Sequence, residues 1–195
     1  MNDQLKGWYK SGRLPHFDGG EVAQFLTFRL EDSLPAEVLD NLRSHLDFLP
    51  EDKRAACLRR NCERVLDKGL GACWLNRRDI AKVVQDCITF GHRKSYVLHS
   101  WAIMPNHVHL LLTPMKTHSL PVIVKSIKSY SGKMCNRILD VNGAFWQENY
   151  FDRFARNARH YEAIKSYIEW NPVAAKLCGQ PADWKMGSIG SGWLE

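Results

Sequence analysis

No Cys-x-x-Cys pair occurs among the six cysteines, at 57, 62, 73, 87, 135 and 178, so the chain lacks the ligand spacing of a structural zinc site. An apolar N-terminal segment of the secretory kind is also missing, and the longest apolar runs fall far short of the roughly 20 residues needed to cross a bilayer. Reduced thiols in a cytoplasmic protein with no membrane role are the expectation. Acidic charge is scarce after residue 50: residues 1–50 carry 5 basic and 8 acidic side chains, residues 51–195 carry 22 and 13. A polyanionic partner would meet the later part, although a net charge of +6 does not by itself demand one.

The 195 residues, 45% of them apolar, suffice for one sizeable core. Residues 1–23 read as an irregular arm, and 24–30 (QFLTFRL) as a strand with Leu26, Phe28 and Leu30 on one face. Pro35 opens a helix toward residue 48, and Pro50 separates it from a charged helix that Gly69 and Gly71 end. Asn76 is the expected cap of a helix to about residue 90, with Ile80, Val83, Val84, Cys87 and Ile88 at helical spacing. Residues 96–104 and 107–113 read as a β-hairpin, and Ser119 as the cap of a helix over 120–139. A short strand near 151–156 and a helix near 159–169 follow, and Asn171-Pro172 starts a brief final helix. Helices mixed with antiparallel hairpins in this order predict an α+β fold, with helices packed on a sheet. One domain spans 1–195, with an N-terminal arm (about 1–23), a helical insertion (about 50–92) and a C-terminal helical tail (about 157–195).

His107 and His109 lie two apart on a strand, so both imidazoles point to one face, which makes half of a metal site. On the 120–139 helix, Ile123, Ile127, Met134 and Ile138 define a packing face, and Tyr130 lies at its edge beside Ser126, Lys133 and Arg137. Its hydroxyl either emerges beside a basic flank or belongs to a tyrosine that only packs. A phenol, with an ordinary pKa of about 10, needs a metal or nearby cations to act as a nucleophile. Lys125, Lys128, Lys133, Arg137, Arg153, Arg156 and Arg159, interleaved with Phe145, Trp146, Tyr150 and Phe151, suit phosphate contacts plus base stacking. The arm at residues 10–13 is a further candidate contact.

WAIMPNHVHLLLTP (residues 101–114) resembles the His-hydrophobic-His segment of the single-tyrosine HUH transposases, and SIKSYSGKMCNRI (126–138) is similar to their tyrosine helix. GRLPHFD (12–18), FLTFRLEDSLP (25–35), FWQENYFDRFAR (145–156) and YIEWNPVAAKL (167–177) resemble the branch known as REP-associated tyrosine transposases. The resemblance implies a ferredoxin-like antiparallel sheet with the HUH strand at its centre, and action on single-stranded or hairpin DNA. It further implies Mg²⁺ or Mn²⁺ on His107 and His109, with Tyr130 as nucleophile through a 5′-phosphotyrosine; Tyr150, which adjoins Gln147 and Glu148 in sequence, is the runner-up. Relatives can place a third, polar metal ligand one turn after the tyrosine. That position is Met134 here, a poor partner for a hard cation, so Gln147, Glu148 or water is expected instead. The same departure keeps open a noncatalytic hairpin or single-stranded DNA-binding protein, as monomer or homodimer.

Overall fold

The computed structural model describes residues 7–11 and 14–193. Gly12 and Arg13, in the arm expected to touch DNA, lie outside the described residues. The rest of the arm is not irregular: β1 (Gly7–Ser11) and β2 (Leu14–Asp18) pair antiparallel. Asp152 ties this hairpin down, accepting from the Phe17 amide at 2.9 Å and bonding His16 at 2.5 Å. No local pattern announces that contact, because its partner is far away in the chain.

The main sheet has the order β4 (Tyr96–Ile103), β5 (His107–Pro114), β3 (Gln24–Arg29), β6 (Phe151–Phe154), with every neighbouring pair antiparallel. Chain order around it is strand, helices, strand, strand, helix, strand, the ferredoxin-like arrangement. β3 and β5 are central and buried on both faces, which explains why LLL follows the histidines where an edge strand would alternate with polar residues.

One face carries Leu26, Phe28, Val108, Leu110 and Leu112, covered by α3 (Arg78–Phe90) and α4 (Leu120–Leu139). The opposite face carries Phe25, Ala102 and Leu111, covered by Ile164 and Ile168 of α5 (Ala158–Ala174). Beside α5 sit α1 (Ala36–Ser44) and α2 (Glu51–Leu66), whose Leu39, Leu42, Cys62 and Leu66 pack with Phe151. α3 thus belongs to the main core, although it falls inside the span expected as an insertion.

Helix ends differ from the expected caps. Asn76 closes a short 3₁₀ turn, and the residue preceding α3 is Arg77, which makes no side-chain cap bond. Ser119 precedes α4 as expected, but the Leu120 amide is capped by the Asp18 carboxylate at 3.0 Å, a link across 102 residues. α5 starts on a local cap, Asn157 Oδ1 accepting from the His160 amide at 2.8 Å. Pro172 does not restart a helix. It sits inside α5 near its end, where the backbone bond it withholds is one of the last, and Ala175 still donates to the Asn171 carbonyl.

Candidate active site

β5 sets the geometry. His107 and His109 project together into the face beneath α5 and α2, both fully buried, with Nε2 atoms 3.0 Å apart. Each Nδ1 is held: His107 Nδ1 donates to Asn106 Oδ1 at 2.8 Å, and His109 Nδ1 bonds Thr27 Oγ1 on β3 at 2.8 Å. Asn106 is itself oriented by donating Nδ2 to the Leu70 carbonyl, which leaves Oδ1 to accept. His107 therefore presents a lone pair at Nε2, and the outer partners fix both rings. Burial drives the His107 pKa down to about 3, and burial, His107, Arg153 and Arg59 hold His109 well below its ordinary value. Neutral imidazoles are the form that binds metal.

α5 adds what the strand lacks. The Tyr167 ring lies 5.5 Å from His109 and 5.8 Å from Phe25, which stacks on His109. One turn later, Asn171 is 3% exposed, and its Oδ1 is buried without a hydrogen-bond partner. Asn171 thus lies on the helix that covers the histidine face, and an orphaned amide oxygen together with neutral imidazoles is the donor chemistry of a hard divalent cation. Among the described residues no three His, Cys, Asp or Glu side chains converge on a metal position, and the Asn171 amide supplies an oxygen donor of another kind. Mg²⁺ or Mn²⁺ on His107, His109 and Asn171 fits these residues, and all three come from one chain.

Two carboxylates of the α2 end close the site. Asp67 Oδ1 is 3.7 Å from His107 Nε2 and has no hydrogen-bond partner, and Glu63 is buried close enough to Tyr167 for each to shift the other's pKa. Burial raises the pKa of both; Asp67, with Glu63 as a second cause, reaches about 6. The Tyr167 phenol is likewise pushed up, first by burial and then by Glu63 and Asp67, with Arg59 and Arg153 opposing.

A carboxyl whose pKa is raised on folding stabilises below its unfolded value and loses that contribution as pH rises through the folded one. For Asp67 the window is the ordinary 3.8 to about 6. In EDTA at pH 8, Asp67→Asn is expected to stabilise the fold by up to about 3 kcal/mol, the gain shrinking as pH falls through that window. Urea unfolding across a pH series checks this, and a pH-independent gain would rule out the carboxylate charge as its cause.

The residues expected from sequence divide between the two faces. Tyr130 is not brought to the histidines. It stands 63% exposed on α4, across the sheet from them, because the buried arc of that helix is centred on Val124, Ser131 and Cys135. Small residues set that arc: Ser131 Oγ accepts from Trp146 Nε1 at 2.9 Å, and a Cβ on Gly132 would meet Phe145 and Trp146 at 3.4 Å. Met134 and Ile138 are left partly exposed, so the packing face expected from them is corrected. Lys125, Lys133 and Arg137 share the outer side of α4. Lys128 is engaged, donating to the Gln147 and Glu148 carbonyls, and burial lowers its pKa to about 8.

Gln147 and Glu148 do not complete the metal site. The Gln147 amide donates to Glu31, and Glu148 is exposed. Tyr150 is committed elsewhere, its hydroxyl 3.0 Å from that of Tyr9 and its ring packed on His16. Arg153 and Arg156 lie with the histidines: Arg153 sits 5.0 Å over the Phe25 ring, and both line an open groove. Sequence reasoning missed Tyr167, Asn171, Glu63, Asp67 and the two orienting groups Asn106 and Thr27. One signal was present. In YIEWN, Tyr167 and Asn171 are four apart, in register with Ile164 and Ile168 on a buried helix stripe.

No curated protein matches the chain. Among solved structures, a REP-associated tyrosine transposase bound to a REP hairpin is similar over 94% of this chain and 84% of its own, at 17% identity and TM-score 0.53. A candidate transposase from Deinococcus radiodurans aligns over 84% of this chain and 98% of its own, at 20% identity and TM-score 0.33. The family model for "Transposase IS200 like" matches residues 74–171, half of the chain, a stretch that holds His107, His109, Tyr167 and Asn171. The chain belongs to the IS200-like transposase family.

Proposed function

We propose that this protein nicks and rejoins single-stranded DNA, with Tyr167 as the nucleophile and a divalent cation on His107, His109 and Asn171. The observation that carries the reading is a tyrosine packed against two buried neutral imidazoles on one sheet face, with an orphaned amide oxygen one turn along the same helix. The hairpin bound by the structural neighbour supports a substrate cleaved beside a hairpin, and the reduced thiols suit a cytoplasmic setting.

Tyr167 Oη attacks phosphorus and its proton passes to the neighbouring Glu63 carboxylate, whose raised pKa suits a proton acceptor. The tyrosine–phosphorus bond forms as the bond to the 3′ oxygen breaks, leaving a 5′-phosphotyrosyl end and a free 3′-hydroxyl once that oxygen takes a proton. Bound Mg²⁺ or Mn²⁺ supplies positive charge against the phosphate oxygens. Arg59 and Arg153, whose charges act on Tyr167, offset its developing negative charge. The phosphodiester energy stays in the covalent link, so rejoining by a 3′-hydroxyl needs no ATP.

Met134 no longer favours a noncatalytic binder, since the position one turn after Tyr167 is Asn171. The test is incubation of the protein with a labelled hairpin oligonucleotide and MgCl₂ or MnCl₂, followed by a denaturing gel and peptide mapping. A 5′-linked adduct on the Tyr167 peptide is expected. Tight binding with no adduct in either metal would instead establish the noncatalytic binder.

A further inference from the structure

A groove of about 1400 Å³ opens between the β1–β2 hairpin, β6 and the α1–α2 pair. One wall is a ladder of rings: Trp8 packs on Phe17 at 5.1 Å and on Phe154 at 6.1 Å, and Phe17 on Phe154 at 4.6 Å. Trp8 leaves 67% of its surface exposed at the top of that ladder. Cations line the remainder. Arg43 and Arg54 are paired with Asp40 and Asp47 of the same groove, and Asp152 with His16. Among the described residues no carboxylate lies within ion-pair distance of Lys10, Arg153 or Arg156. The groove's inner lining includes Arg59 and Arg153, the two arginines whose charges act on Tyr167 and His109. Arg153, which also sits over the Phe25 ring where that ring stacks on His109, links the groove to the candidate active site.

We propose that this groove seats the unpaired strand adjoining the cleaved phosphodiester, with a base stacked on Trp8 and phosphates on Lys10, Arg153 and Arg156. The inference rests on the function proposed above and adds the path by which the strand arrives. An exposed ring face favours a single strand, because a base in a duplex has both faces covered by its neighbours, whereas an unpaired base can stack on an aromatic side chain. Guanidinium and ammonium groups without a carboxylate partner in the same groove match a phosphate backbone. Most of the groove, the β1–β2 hairpin and α1–α2, lies outside the stretch that matches the family model.

Fluorescence anisotropy in EDTA, at one salt concentration, reads binding apart from cleavage. The probes are one hairpin with blunt ends and the same hairpin with a single-stranded extension on its 5′ or its 3′ side. The protein is expected to bind one extended probe at least 10-fold more tightly than the blunt one. Trp8→Ala should weaken that probe about 5- to 100-fold, the range for one lost base stack, and the blunt probe less than 3-fold. Lys10→Ala with Arg156→Ala should reduce the slope of log affinity against log salt by about 2 for the extended probe. Circular dichroism checks that the variants fold. Equal binding of extended and blunt probes by the unaltered protein, or an unchanged preference in both Trp8→Ala and the double variant, would overturn the proposal. Loss of the adduct in the mapping assay would count against the reaction and leave this binding comparison intact.

Discussion

Tyr167→Phe is expected to abolish the covalent adduct and slow cleavage by roughly 10⁴-fold or more, the scale of losing a nucleophile, whereas Tyr130→Phe leaves both at the level of the unaltered protein. The change removes only a hydroxyl. The ring stays against His109 and Phe25, so hairpin affinity should move less than 3-fold and the fold should persist. Glu63 keeps Arg59 at 3.6 Å, so the cost to stability is about 1 kcal/mol. Tyr130 is mostly exposed on the other side of the sheet, and its loss of a hydroxyl touches nothing near the imidazoles. Rates in MgCl₂ with denaturing-gel detection decide the matter. An adduct persisting in Tyr167→Phe and mapping to the Tyr130 or Tyr150 peptide would move the nucleophile there.

His109→Ala should have the next largest effect, a loss of cleavage of at least about 10³-fold together with loss of Mn²⁺ binding followed by electron paramagnetic resonance. DNA affinity should fall far less, since phosphate and stacking contacts are made elsewhere. His109 is fully buried and bonded to Thr27, so the variant also loses about 2–3 kcal/mol of stability and should be assayed well below its melting temperature. Asn106→Ala tests the same site from behind. It leaves both imidazoles in place but frees the His107 tautomer, and a 10- to 100-fold loss of metal affinity is expected. Mn²⁺ binding unchanged in both variants would remove the histidines from the metal site.

These two experiments fall on opposite sides of what the sequence made legible. The His107/His109 pair was readable because side chains on a strand alternate, and that holds wherever the strand sits. Asn106 and Thr27 were not, since each matters only through a contact that the hairpin turn or the β3–β5 register creates. Region 50–75 reads in the sequence only as a charged helix ended by Gly69 and Gly71. It holds Glu63 and Asp67, which reach the site only because α2 folds back over the sheet.

What the sequence by itself determined was local: the β3 and β5 strands, the β4–β5 hairpin, the span of α4, a shared face for the two histidines, and motifs enough to indicate the family. Which helix covers that face was decided by the tertiary structure. β3 and β4 run parallel with β5 between them, and β5 and β6 run parallel with β3 between them, so both connections are crossovers. Crossovers of one hand put their helices on one side of a sheet, which commits α3 and α4 to the Val108 face. The face bearing His107 and His109 was left to the helix that follows β6. Periodicity shows that a helix has a buried stripe but not against which side of which sheet it lies. The same spacing rules that placed Tyr130 at the edge of a packed helix therefore left Tyr167, on the helix that reaches the imidazoles, to be found only in the folded chain.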